Sequence, residues 1–140
     1  MQNCLICRII RKEEQVNLIY EDADTVAFPF MYPLTEGHTI IAPKKHFADI
    51  FDAEPKSLAK MMEVVQAVSQ KMRLGLGINA VNLINNSGEV AGQDVFHFHM
   101  HIIPRREGDQ LNLKEWWLSK ATAAGEKELN DLVVKLRISH

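Results

Sequence analysis

The sequence has little of what would tie it to an unusual environment. Of its 140 residues only two are cysteines, so no disulfide framework is available. A chain of this length needs none, since it buries roughly two-thirds of its unfolded surface. No apolar run approaches the ~18 residues of a membrane span, and no membrane partner is expected. Met1-Gln2-Asn3-Cys4 has neither the basic start nor the apolar stretch of a secretion signal, from which a cytoplasmic location is expected. An excess of one charge is missing too. With 16 basic and 18 acidic residues the net charge is −2, which argues against a nucleic-acid partner. There is no internal repeat and no low-complexity tract. What remains, 46% apolar and 24% charged, is the composition of one ordinary globular domain over 1–140. Six histidines stand out against it, and their placement carries the information.

Prolines and glycines are few, and they punctuate the chain. Residues 5–11 are expected to form one or two helical turns. Two β-like stretches, 17–20 and 25–28, flank the acidic break Glu21-Asp22-Ala23-Asp24, which suits a hairpin turn. Tyr32-Pro33 and Glu36-Gly37 mark a loop, and residues 38–42 form a short β-branched strand ended by Pro43. Leu58, Met61, Val65, Val68 and Met72 recur at three- and four-residue spacing and predict the longest helix. Asp52 is its expected N-cap, Pro55 sits in its first turn, and Gly75 and Gly77 end it. Residues 81–84 read as a strand, 85–93 as a polar loop, and 95–103 as a strand closed by Pro104. A last helix is expected over 126–137, with Leu129, Leu132, Val133 and Leu136 on one face. Strands outnumber helices without regular alternation, so the predicted class is α+β with an antiparallel sheet.

The strongest signal is His97-Phe98-His99-Met100-His101-Ile102-Ile103. Side chains alternate across a strand, so the three histidines share one face while Phe98, Met100 and Ile102 enter the core from the other. Along a strand His97 and His101 start about 13 Å apart, too far for one three-histidine metal site. A row of imidazoles suits an extended charged substrate such as a phosphate: one ring attacks phosphorus while its neighbours donate to the oxygens. Lys44-Lys45 and Arg105-Arg106 would add positive potential, or simply form solvated surface. Trp116-Trp117 would stack on a base or pack.

Cys4-x-x-Cys7 admits several readings. A redox pair lacks its usual thioredoxin-like context, and a disulfide does not suit the cytoplasm. Two thiolates and two histidines would complete a tetrahedral zinc site, while two metal-free thiols are the plainer alternative. Composition does not select the histidine ligands from His38, His46, the 97–101 row and His140.

The histidine row resembles the signature of the histidine-triad (HIT) family, His-φ-His-φ-His-φ-φ with φ apolar. Gly37-His38-Thr39-Ile40-Ile41-Ala42-Pro43-Lys44-Lys45-His46 resembles that family's second recurring stretch, and Ala91-Gly92-Gln93 also matches. The similarity covers about residues 4–105, leaving 106–140 as a C-terminal extension. Ile102-Ile103-Pro104-Arg105 looks more like the small bacterial and dinucleoside-polyphosphate-cleaving members than the Hint branch. The resemblance implies the HIT-like fold: about five antiparallel strands, one long helix and a C-terminal helix, paired into a homodimer. It implies a nucleotide hydrolase or transferase that cleaves at a nucleoside α-phosphate. His99 would form a covalent nucleotidyl-histidine, His101 and His38 would serve the same catalytic pocket, and Asn86, Gln93 and Asp94 would lie against substrate. This chemistry needs no metal. A structural zinc is implied separately, on Cys4, Cys7, His46 and His97, with His97 anchoring the N-terminus. The chain departs from the family pattern at Phe30, where a ribose-binding Asp or Asn is usual, and at Asp94, where Ser or Thr is usual. A nucleotide-binding regulatory module with incidental turnover is the alternative function.

Overall fold

Two compact units, Met1–Asp109 and Gln110–His140, make up the chain in a computed structural model that describes residues 3–138. The first unit contains α1 (Leu5–Ile10), β1 (Tyr20–Glu21), β2 (Thr25–Pro29), β3 (Thr39–Pro43), α2 (Pro55–Leu76), β4 (Ala80–Ile84) and β5 (Met100–Arg105). A single 3-10 turn, Glu89–Ala91, interrupts the loop between β4 and β5. The strands lie in the order β1-β2-β3-β5-β4, and every neighbouring pair is antiparallel. This is the α+β class and the five-stranded sheet expected.

The β1–β2 hairpin turns where the acidic break predicts. Asp22 Oδ1 accepts the backbone N–H groups of Asp24 and Thr25 at 2.8 and 2.7 Å, closing the turn on itself. Alternation then sorts the sheet into two cores. Ala27, Ile41 and Ile102 pack with Met61, Val64, Val65, Val68 and Met72 of α2, and Phe98 and Met100 join them. Each buried apolar side chain of α2 contributes about 1.5–3 kcal/mol to that contact. Val26, Phe28, Ile40 and Ala42 face the other way, against Ile6 and Ile9 of α1.

Several boundaries differ from expectation: β1 is only Tyr20–Glu21, β5 runs through Pro104 to Arg105, and two more differ for clear physical reasons. Glu54, not Asp52, caps α2, because Pro55 takes the first helical position and makes the residue before it the cap. Asp52 instead accepts from the Ala48 N–H at 2.8 Å. The helix ends as predicted, with Gly77 left-handed at φ 65°. β5 starts at Met100 rather than at residue 95. Met100 pairs with Ile41, so two further residues of ladder would bring Phe98 opposite Pro43, which has no N–H to donate. Phe98 N–H turns away and donates to Phe47 O at 2.7 Å. His97 and His99 therefore lie in an extended segment ahead of the strand.

The second unit contains α3 (Leu113–Lys120), which the sequence reading did not anticipate, and α4 (Glu126–Leu136). α3 is too short for an apolar period to show, and its Trp116 and Trp117 are exposed. Leu129, Leu132, Val133 and Leu136 of α4 are exposed as well. His140 lies outside the described residues. Among the described residues no helix is long and apolar enough to cross a membrane.

Candidate active site and metal centre

His101 stands directly across from Ile40, so it projects from the face of the sheet that α1 covers. His38 arrives beside it from the start of β3. Gly37 makes that approach possible: its φ is 87°, and a Cβ there would meet Leu76 Cδ1 at 2.5 Å. His38 Nε2 and His101 Nδ1 are 2.9 Å apart, and the His99 and His101 ring centroids 5.1 Å. The structure thus brings His38, His99 and His101 together.

Backbone donors and acceptors set the tautomer of each ring. Leu34 N–H donates to His38 Nδ1 at 3.1 Å, so the neutral His38 ring carries its hydrogen on Nε2. That Nε2–H donates to His101 Nδ1, which leaves the His101 hydrogen on Nε2 as a free donor. His99 Nδ1–H donates to His97 O at 2.7 Å, and its Nε2 therefore holds the lone pair. One nucleophilic nitrogen and one N–H donor stand on adjacent rings.

Burial favours the neutral form of two of these rings, His101 and His38. It pushes His101 down to about 4, helped by His99 and His38 and opposed by Asp94, and it lowers His38 as well. An unfolded histidine titrates near 6.5. Between about 6.5 and 4 the unfolded chain therefore binds more protons at His101, and stability falls as pH falls through that window. Denaturant midpoints measured across it should decline less steeply in His101→Asn than in the wild type.

The loop after β4 braces this arrangement. Asn85 Nδ2–H donates to His99 O at 2.8 Å, a side chain standing in for a ladder bond that β4 no longer supplies. Ser87 Oγ–H donates to Asn85 Oδ1 at 2.6 Å. Sequence reasoning missed Asn85; its one signal was its place at the end of a strand beside Asn86. Gln93 is buried, and its amide is committed to backbone: it donates to Ala48 O and Val95 O and accepts from Gly88 N–H. These three bonds hold the loop. Asn86 Nδ2 contacts Gly92 O at 3.5 Å, and Asp94 is exposed, near enough to His101 to act on it electrostatically. Phe30 packs its ring 4.7 Å from His38 and 5.4 Å from His101. It forms an apolar wall to the histidine face and offers no acceptors. The basic pairs are matched by carboxylates: Lys44 with Glu21, Lys45 with Glu54, Arg105 with Asp109, Arg106 with Glu36.

The remaining members of the predicted set also meet. Cys4 and Cys7 at α1, His46 after β3 and His97 ahead of β5 bring their ligand atoms within 4.8 Å of one another. His46 Nδ1 lies 3.2 Å from His97 Nδ1 and 3.3 Å from Cys7 Sγ; His97 Nδ1 lies 3.5 Å from both sulfurs. A tetrahedral zinc with ordinary bond lengths has edges of roughly 3.3 Å between nitrogens and about 3.6 Å between nitrogen and sulfur. The residues fit such an ion. His97 Nε2–H donates to Pro43 O at 2.8 Å, so its Nδ1 lone pair points into the cluster, the outer-sphere arrangement usual for a ligating imidazole. Burial, then the Cys4 thiol, pushes the Cys7 thiol up to about 11, and burial pushes His97 down to about 4. Cysteine must lose its proton to ligate, whereas His97 is already neutral.

Known proteins share this architecture. The adenylylsulfatase HINT3 of Arabidopsis thaliana is 36% identical over 138 residues, 98% of this chain and 70% of that protein. A zinc-bound histidine triad family protein from Mycobacterium smegmatis is 36% identical with a TM-score of 0.76, over 80% of this chain and 81% of that one. A HIT family member from Bacillus subtilis superposes with a TM-score of 0.84 at 26% identity, covering 99% of both chains. The HIT domain pattern matches residues 11–108, from the end of α1 past the histidine row. On the fold and this match, the chain belongs to the HIT domain family.

Proposed function

We propose that the chain is a nucleotide hydrolase or transferase that cleaves nucleoside phosphoramidates, adenylylated compounds or dinucleoside polyphosphates through nucleotidyl-His99. One observation carries this reading: His97 O holds the His99 Nδ1–H and leaves Nε2 as a lone pair, beside the free Nε2–H of His101. His99 Nε2 attacks the α-phosphorus, the bond to the leaving group breaks, and the leaving group takes the electron pair, an amine also taking a proton from solvent. His101 Nε2–H donates to a non-bridging oxygen as charge develops there, and His38 keeps His101 in the donating tautomer. Water then attacks phosphorus and gives one proton to solvent, the P–N bond breaks, and the electron pair returns to His99 Nε2. Kinship with an adenylylsulfatase supports attack at an adenylyl phosphate.

Cys4, Cys7, His46 and His97 would hold a structural zinc, which when bound cross-links α1 to the segment carrying His99. Two copies would pair into a homodimer through the exposed sheet edge β4, where Leu83 is 42% exposed, and light scattering on the full chain measures this directly. Two free thiols suit a reducing, cytoplasmic setting.

The test is a panel of adenosine and guanosine phosphoramidates, adenylyl sulfate and dinucleoside polyphosphates, quenched in acid-free buffer and digested for mass spectrometry. The expected result is turnover with a nucleotidyl group on His99. A nucleotide trapped on another residue overturns the mechanism. Tight binding with negligible turnover across the panel would instead identify a regulatory module.

A further inference from the structure

The histidine face has two unlike borders. Beside His99 runs the loop that Asn85 ties to His99 O, and its residues Glu89, Val90 and Asp94 are exposed. At the His38 and His101 end stands Phe30, its ring tilted 50° to His38 and nearly perpendicular to His101, at 88°. Phe30 is fixed in place. Its N–H donates to His38 O at 2.9 Å, its side chain packs with the α1 core, and Tyr32 sets its ring edge-on at 6.2 Å. The segment between β2 and β3 brings no free carboxylate to this border. Its one acid, Glu36, pairs with Arg106, and Thr35 Oγ–H donates to Pro104 O at 2.7 Å.

Two substituents of a substrate phosphorus need different surroundings. The leaving group departs and water takes its place, which suits the open border at Asp94. The esterified group stays bonded through both steps, and an apolar wall holds it without competing for hydrogen bonds. We propose that Phe30 is a specificity-determining residue: the sugar of the nucleotide lies against its ring, and the site turns over nucleotides lacking the sugar hydroxyls as readily as ribonucleotides. The proposal rests on the nucleotidyl-His99 reading above and adds which part of the substrate goes unread. A site that hydrogen-bonds a substrate hydroxyl rejects the analogue lacking it, because its own polar groups are left unpaired. A hydrocarbon ring leaves nothing unpaired, and it rejects an added hydroxyl only weakly.

The experiment gives the full chain a matched pair, adenosine phosphoramidate and dideoxyadenosine phosphoramidate, which lacks both sugar hydroxyls. Wild-type kcat/KM should agree within about threefold across the pair, and a ribonucleotide preference above about tenfold overturns the proposal. Phe30→Asn supplies an acceptor and should favour the ribonucleotide by about tenfold or more, chiefly through KM. Each ratio is internal to one protein, so a loss of folded fraction cancels. An unchanged ratio in Phe30→Asn denies Phe30 the role. Should that variant fail to fold, Phe30→Leu replaces it. Leucine keeps the wall apolar, so its ratio should stay within about threefold, and a rise to about tenfold overturns the proposal. Calorimetry with AMP and dideoxy-AMP separates failure of the proposal from failure of the enzyme reading. If neither phosphoramidate is turned over, that reading is wrong, and the two nucleotides still test the wall. Dissociation constants within about threefold uphold it, whereas a gap above about tenfold, or no binding of either nucleotide, overturns it.

Discussion

His99→Ala should lower turnover by about a thousandfold or more while leaving the fold in place. The variant removes the nitrogen that forms the covalent intermediate, and no neighbour can substitute. His101 Nδ1 is occupied by the His38 Nε2–H and its Nε2 carries a hydrogen; His97 Nδ1 faces the cysteine cluster and its Nε2–H is held by Pro43 O. Stability should change little. Among the described residues the His99 ring makes one hydrogen bond, to His97 O, and such a bond is worth about 1 kcal/mol. Steady-state kinetics on the best substrate, beside a thermal melt, checks both halves. A variant within tenfold of wild-type turnover would exclude His99 as the nucleophile. An equal loss caused by unfolding would show in the melt.

The second large effect concerns the cluster. Chelation of zinc-loaded protein should lower Tm by about 10 °C or more. An ion at a thousandfold over its Kd stabilises the folded chain by about 4 kcal/mol, and a chain of this size shifts by a few degrees per kcal/mol. The four clustered residues explain why the effect would be global: Cys7 is 8% exposed and His97 fully buried, and they come from segments 90 residues apart in sequence. Cys7→Ala should melt at the temperature of the chelated wild type and gain nothing from added zinc. Calorimetry with elemental analysis decides the matter. A wild type whose melting is indifferent to chelator, despite bound zinc, would confine the ion to a local role.

Much of the fold was visible in the sequence because its signals were periodic or chemically distinctive. The spacing of Met61, Val65, Val68 and Met72 located α2, and the alternation of Phe98, Met100 and Ile102 assigned the core face of β5. The meeting of Cys4, Cys7, His46 and His97 followed from the resemblance, since their spacing alone left the histidine ligands open. The start of β5 was not visible, because it depends on Pro43 falling opposite Phe98, a matter of register that a single strand does not reveal. Asn85 was missed, and the loop-bracing bonds of Gln93 were not foreseen, for a related reason. An amide looks the same in sequence whether it faces a substrate or a backbone carbonyl, and here both brace the loop. Phe30, a departure from the family pattern in sequence, packs with the α1 core and also lies against His38.

The sequence separation within the cluster also orders events during synthesis. Cys4 and His97 are 93 residues apart, so at ordinary translation rates the thiols leave the ribosome about 5–20 s before their last partner. During that interval His46 can join the two cysteines, but the cluster still lacks His97. The four-residue cluster closes only when the histidine row has emerged, so a truncated chain ending before residue 97 keeps the thiols but not the full cluster.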